Sequence, residues 1–178
     1  MNLYQRGKHR TLLSWEAHAH SITCLAPAEA LGLLCSGAED GRISLWAVSD
    51  AGATCAGTLA ARTSGPRGAS SNLAVYALAV SPATGDVLFA GGADYRVHMY
   101  DLRSRALLHT LSGHASTVRA LCFTPDGSKL CSSGGDFNLL VWRVPSGADD
   151  GGAASRAAAD EDAAAAPDAL APAPAPER

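Results

Sequence analysis

The sequence predicts an all-β fold made of three copies of one four-stranded antiparallel unit, followed by a disordered tail. Three observations indicate this. One spacing of four polar and aromatic residues recurs along the chain. Short apolar runs of strand length alternate with turns rich in Gly, Asp and Pro. After Pro145 the composition shifts abruptly to Ala, Pro, Gly and acidic residues, without aromatic side chains.

The clearest copy of the unit ends at Trp142. Asp136 precedes that tryptophan by six residues and Ser132 precedes it by ten, while His114 lies 22 residues before the aspartate. Such a fixed spacing, repeated along a chain, is the signature of a repeat architecture. The same offsets relate an earlier set of residues, namely His18, Ser36, Asp40 and Trp46.

The middle copy is degenerate. It keeps Asp94 six residues before Tyr100, but alignment with the third copy puts Ala90 at the serine position and Ser71 at the histidine position. We therefore expect this copy to be held by apolar packing more than by a polar chain. Its aspartate lies 42 residues before that of the third copy, which fits the period of a propeller blade. A Gly/Ser/Pro-rich insertion at 62–72, predicted to be a surface loop, lengthens the first interval.

These features resemble the WD-repeat family. The Gly113-His114 pair matches its GH dipeptide, and the three copies end in Trp46-Ala47, Tyr100-Asp101 and Trp142-Arg143. The resemblance covers roughly residues 11–144 and implies WD-repeat β-propeller blades of four antiparallel strands. It also implies a buried chain in each complete copy, from the aspartate through the histidine and serine to the indole. Since closed propellers have about 4–8 blades, three copies predict an incomplete ring.

The predicted organisation is a flexible N-terminus at 1–10, a WD-repeat region at 11–145 and a disordered Ala/Pro/acidic tail at 146–178. Within the repeat region we expect the following blades: blade one at about 16–61, blade two at about 72–111 and blade three at about 112–144.

Two unmatched strands leave the assembly open. The run Thr11–Trp15 reads as the outer strand of a preceding blade, and blade three lacks an outer strand after residue 144. One hypothesis is a head-to-tail homodimer, in which each Thr11–Trp15 strand completes blade three of the other copy. In another, a partner supplies the missing blades. In a third, the chain is a truncated fragment of a larger WD-repeat protein with no independent activity.

Composition excludes several functional classes. The net charge of −3 gives no basic surface for nucleic acid, and the absence of a long apolar run argues against a membrane span. Five cysteines, an odd number and without a C-x-x-C pair, predict free buried thiols in a reducing compartment, the cytoplasm or nucleus. His18 and His20 form an H-x-H pair without a third ligand at a recognised spacing, so we expect no metal and no cofactor.

No catalytic motif is present, and the resemblance implies a non-enzymatic scaffold that binds peptides or other proteins on its blades. In the family, partner contacts often come from the positions three and five after the histidine and one before the aspartate. Aromatic and Arg side chains dominate interface energetics, which favours one residue from each copy. The candidate partner-binding residues are Glu39, Tyr76 and Arg119, followed by Ser21, Thr23 and Thr117.

An alternative function comes from residues 88–103. This segment is similar to the WDxR-type box of substrate receptors for cullin-4 ubiquitin ligases. Met99 departs from the usual residue types of that box. The matching positions are Asp94, Tyr100, Asp101 and Arg103.

Overall fold

The computed structural model describes residues 2–4, 11–60 and 74–144. Their regular structure consists of antiparallel β-strands and one 3-10 turn, Glu29–Leu31, which confirms the all-β prediction. Over these ranges no helix has the length and apolarity needed to cross a bilayer. The predicted disordered tail at 146–178 and the insertion at 62–72 lie outside the described residues.

Blade one is a four-stranded antiparallel sheet in sequential order. Its central strands alternate or cluster buried apolar residues because both faces of the sheet are partly covered. The strands are β3 (Ile22–Ala28), β4 (Leu33–Ala38), β5 (Arg42–Ser49) and β6 (Gly52–Ala60).

Blade two repeats the arrangement, again with four strands in sequential order. The strands are β7 (Val75–Val80), β8 (Val87–Gly92), β9 (Arg96–Asp101) and β10 (Leu107–Ser112). Blade three has three strands in the described part of the chain, as expected from its sequence. They are β11 (Val118–Phe123), β12 (Lys129–Gly134) and β13 (Leu139–Arg143).

The blades pack side by side through their inner strands, with β7 between β3 and β11. Each junction depends on a glycine. A Cβ on Gly37 would lie 2.9 Å from Cγ1 of Val75, and a Cβ on Gly91 would lie 2.5 Å from Cγ1 of Val118. Real Cβ atoms do not approach other atoms so closely, so only glycine lets the first residue of the next inner strand enter. The valines at both junctions are buried among apolar side chains.

A short hairpin precedes blade one. It consists of β1 (Asn2–Tyr4) and β2 (Thr11–Ser14), which pair antiparallel with Asn2 opposite Ser14 and Tyr4 opposite Thr11. The register is that of the third and outer strands of blade two, where His98 is opposite Thr110 and Tyr100 is opposite Leu107. The hairpin therefore has the form of the outer half of a further blade.

This hairpin refines the expectation for the N-terminus. The run Thr11–Trp15 was expected to be an outer strand, and β2 has that register position. Its partner, however, is β1 of the same chain, from the segment 1–10 that the sequence predicts to be flexible. Trp15 continues from β2 onto blade one, where its ring centroid lies 5.8 Å from that of Trp46.

Candidate interaction surface

The tetrad of blade three forms one continuous hydrogen-bonded chain. The indole Nε1 of Trp142 donates to Oγ of Ser132 at 2.8 Å, and that hydroxyl lies 2.7 Å from Nε2 of His114. The other ring nitrogen, Nδ1, lies 2.9 Å from Oδ2 of Asp136. With the proton of a neutral histidine on Nδ1, every link has one donor and one acceptor. The chain ties the loop before β11 to the turn between β12 and β13.

Asp136 also anchors its own turn. Its carboxylate accepts the backbone N–H groups of Ala115 at 3.0 Å and Asn138 at 3.2 Å. The N–H of Ala115 is the largest cause of a pKa held well below the usual range of an aspartate, and the contact with His114 lowers this pKa further. The aspartate is therefore ionised wherever the fold is intact near neutral pH.

Blade one has the same tetrad with one looser link. Trp46 Nε1 donates to Ser36 Oγ at 2.9 Å, and that hydroxyl lies 2.7 Å from Nε2 of His18. The remaining contact, from His18 Nδ1 to Asp40 Oδ2, is 3.5 Å long. Both ring nitrogens of His18 thus face tetrad partners, which accounts for this histidine without a metal.

Blade two departs from the expectation that packing alone holds it. Asp94 Oδ2 lies 2.5 Å from Nε2 of His98, and Nδ1 of that histidine lies 3.0 Å from Oγ1 of Thr110. His98 is buried in the third strand, so the polar chain runs outward to β10 instead of inward to β8. Sequence reasoning missed this residue, although its place four residues after the tetrad aspartate was a usable signal.

The tetrads position one repeated backbone contact at what we call the upper face, the end of the blades that carries the tetrad histidines and aspartates. In each blade, the residue before the tetrad aspartate donates its N–H to a carbonyl at the start of the inner strand. These bonds are Glu39 to Ser21 at 3.0 Å, Ala93 to Ala74 at 2.9 Å and Gly135 to Thr117 at 2.9 Å. The family-implied contact positions are therefore paired in space on every blade.

The side chains at these positions differ in accessibility. Ser21, Glu39 and Arg119 are exposed, whereas Tyr76 and Thr117 are half-buried. Such exposed polar and Arg side chains are free to reach a partner.

Thr23 has a different environment. Its hydroxyl donates to the carbonyl of Gly37 at 3.0 Å and contacts the carbonyl of Val75 in the next blade. The hydroxyl of Thr23 thus links blade one to blade two.

Two exposed aromatic residues at the upper face were missed. Tyr95 and Phe137 directly follow the tetrad aspartates and are 47% and 100% exposed. Both have left-handed backbones, with φ of 68° and 64°, where blade one has Gly41 at φ 72°. A bulky residue rarely adopts this conformation, so the aromatic side chains are held outward at some conformational cost.

The residues of the predicted adaptor box lie around the end of β9. Tyr100 is buried in the blade, and Asp94 belongs to the polar chain with His98. At the other end of the blade, Asp101 accepts the backbone N–H of Arg103 at 2.8 Å. The side chain of that arginine is 64% exposed and its Nε donates to Asp86 at 2.9 Å. A hydrogen bond from the Ser104 hydroxyl is the main cause of a lowered pKa for Asp101.

The sheet order, the inner-strand packing and the tetrads together define β-propeller blades. The chain belongs to the WD-repeat family: the family model described as WD domain, G-beta repeat matches residues 9–47 and 105–143. The two matches coincide with the two complete tetrads.

Relatives support the same assignment. The chain is 38% identical over 68 residues to "U3 snoRNP-associated protein-like EMB2271" of Arabidopsis thaliana, covering 38% of this chain and 14% of that protein. It is 30% identical over 133 residues to "Transducin beta-like protein 3" of Bos taurus, covering 74% and 15%. A solved structure titled "Structure of U3-55K" superposes with a TM-score of 0.61 at 29% identity, over 72% of this chain and 38% of that one. The chain thus spans well under half the length of these proteins.

Proposed function

We propose that this protein is a non-enzymatic scaffold that binds peptides or other proteins at the upper face of its blades. The observation that supports this most directly is the repeated backbone pairing, which places the exposed side chains of Ser21 and Glu39 on one blade and of Arg119 on another. Rigid strands carry these groups, so they are positioned before a partner arrives. The same face holds the exposed rings of Tyr95 and Phe137.

An enzymatic role has less support. The Ser, His and Asp residues that could imitate a catalytic set are links of buried structural chains, and Ser132 has both Trp142 and His114 as partners. A nucleophile needs access to substrate as well as a base. We therefore infer binding without catalysis.

Arg119 offers the sharpest test of the surface. Arg119→Ala should weaken recovery of bound proteins at least about tenfold, as expected for an interface Arg that contributes more than about 1.4 kcal/mol. The matched control is Arg143→Ala, an exposed arginine at the opposite end of the same blade. Quantitative mass spectrometry of proteins captured on the tagged full chain gives the measurement. Equal recovery with both variants would refute the assignment of the upper face.

The second candidate is a substrate receptor for a cullin-4-type ubiquitin ligase. It is favoured by Arg103, whose side chain is exposed beside Asp86 at the end of the blade away from the tetrads. In this case Arg103→Ala should abolish binding of the ligase adaptor, measured by co-purification, and Arg105→Ala should serve as the nearby control. Absence of adaptor binding by the wild-type chain would remove this function.

The mode of assembly is a further part of the proposal. A homodimer closed by exchange of β2 would require β1 to leave, because β1 pairs with the edge of β2 that blade three would use. We therefore favour blades supplied by a partner or by a longer form of the protein over strand exchange. Light scattering of the full chain decides between a dimer and other states. A discrete dimer in which Thr11 and Arg143 cross-link between copies would restore the exchange hypothesis.

We place the protein in the cytoplasm or nucleus. The names of two related proteins refer to U3 and to a snoRNP, which favours the nucleus for this chain as well. Imaging of the tagged chain, with exclusion from the nucleus as the contrary result, tests that preference.

A further inference from the structure

Two cysteines lie directly opposite each other in blade three. Cys122 of β11 and Cys131 of β12 are paired across the antiparallel ladder. Side chains at such positions project from the same side of the sheet, with Cβ atoms about 4.5–5.5 Å apart. A disulfide joins Cβ atoms about 3.5–4.5 Å apart and Cα atoms about 4.4–6.8 Å apart, so a small adjustment of this pair suffices. Burial, and next the neighbouring thiol of Cys122, raise the pKa of Cys131.

The pair lies in what we call the open face of blade three, the side that no described blade covers. Cys122 is exposed and Cys131 is half-buried. Leu139 and Val141, on the adjacent strand, are 68% and 47% exposed. The residues of the open face alternate with those that face blade two, and they are Ala120, Cys122, Cys131, Ser133, Leu139 and Val141.

Blade one shows what covering would do to this pair. Ala26 and Cys35 occupy the positions equivalent to Cys122 and Cys131, and they are likewise opposite each other in the ladder. Blade two packs over them, leaving Ala26 4% and Cys35 0% exposed. Burial raises the pKa of Cys35 to about 12, so this thiol is inert in the folded chain. A blade placed on the open face would bury Cys131 in the same way.

We propose that Cys122 and Cys131 form a reversible cross-strand disulfide by exchange with a low-molecular-weight disulfide such as glutathione disulfide, and that a covering blade protects them. The Cys122 thiol loses its proton, and its thiolate attacks one sulfur of glutathione disulfide, releasing one glutathione thiolate and leaving a mixed disulfide. Cys131, deprotonated in turn, attacks Cys122 Sγ and releases the second glutathione. The protein dithiol is oxidised by two electrons, and glutathione disulfide is reduced to two glutathiones.

Oxidation and assembly are coupled by accessibility. The exchange needs a path for the glutathione disulfide to Cys122, and a blade on the open face removes that path. The thiols therefore react in the uncovered form and are silent in the covered one. Because the pair does not involve Arg119 or the upper face, this inference is independent of the proposed partner surface.

Tryptic mapping tests the proposal with the full chain. Cleavage after Arg119, Lys129 and Arg143 places the two cysteines on separate peptides, 120–129 and 130–143. After treatment with glutathione disulfide and alkylation of the remaining thiols, we expect these two peptides joined by a disulfide. Exposed Cys55, whose partner across the ladder is Trp46, should give only a glutathione adduct or an alkylated thiol.

Two further outcomes decide the proposal. In Cys122→Ser, whose side chain is exposed in the native chain, the linked peptides should disappear while circular dichroism is unchanged. The proposal is overturned if the wild-type chain accumulates glutathione adducts at Cys122 without linkage, or if linkage to Cys24 or Cys55 is as frequent as to Cys131. In the wild-type chain, a partner that covers blade three should slow linkage at least tenfold, and an unchanged rate in that complex would refute the protection step.

Discussion

Replacement of Ser132 by alanine tests whether the tetrads stabilise the blades. This hydroxyl is 1% exposed and is the central link of the chain in blade three. It accepts from Trp142 Nε1 at 2.8 Å and lies 2.7 Å from Nε2 of His114. The Ser132→Ala variant removes one oxygen and leaves both ring nitrogens without that partner, while the backbone pairing of β12 is unaffected.

The expected loss follows from those two nitrogens. A buried polar group left unsatisfied costs about 1–3 kcal/mol. Trp142 is half-buried, so its indole N–H regains some hydration and belongs at the lower end of that range. Together the two groups predict a decrease of about 2–4 kcal/mol in the free energy of unfolding. This is a large share of the roughly 5–15 kcal/mol that stabilises an ordinary domain.

Urea unfolding of the full chain, followed by tryptophan fluorescence and circular dichroism, measures this change. The matched control is Ser133→Ala, the next residue along β12, which projects from the open face and should change the free energy by less than about 0.5 kcal/mol. The reasoning is refuted if the two variants lose equal stability, or if Ser132→Ala loses under about 1 kcal/mol.

Three other predictions follow from the same geometry. The pKa of Asp136 is depressed in the folded state, so its stabilisation is present above the unfolded value of about 3.9 and is lost as the pH falls below it; Asp136→Asn should flatten the acid limb of the stability curve more than Asp40→Asn, whose histidine contact is 3.5 Å long. Phe137→Gly should raise the free energy of unfolding by about 1 kcal/mol by relieving the left-handed backbone, whereas Gly41→Ala should lower it, and denaturant titration would expose an opposite sign. His98→Leu should cost about 1–3 kcal/mol in thermal unfolding because it leaves Asp94 buried without its ring partner, and a neutral result would mean that packing alone holds blade two.

The sequence by itself determined the architecture of this protein. The repeated offsets around Asp40 and Asp136 identified the blades, their tetrads and the family, because each aspartate must sit in a tight turn at a fixed distance from its histidine and tryptophan. Strand positions followed from apolar runs and turn residues, since both are properties of the local chain.

Only the tertiary structure decided how residues distant in sequence meet. The sequence could not show that His98 substitutes for the missing histidine, because that depends on which face of β9 points toward Thr110. Nor could it show that β2 pairs with β1, a choice between strand edges that compete for one partner. Finally, Cys35 and Cys131 have equivalent sequence positions, yet one is covered by a blade and the other is not, because burial depends on the neighbouring blade rather than on the repeat.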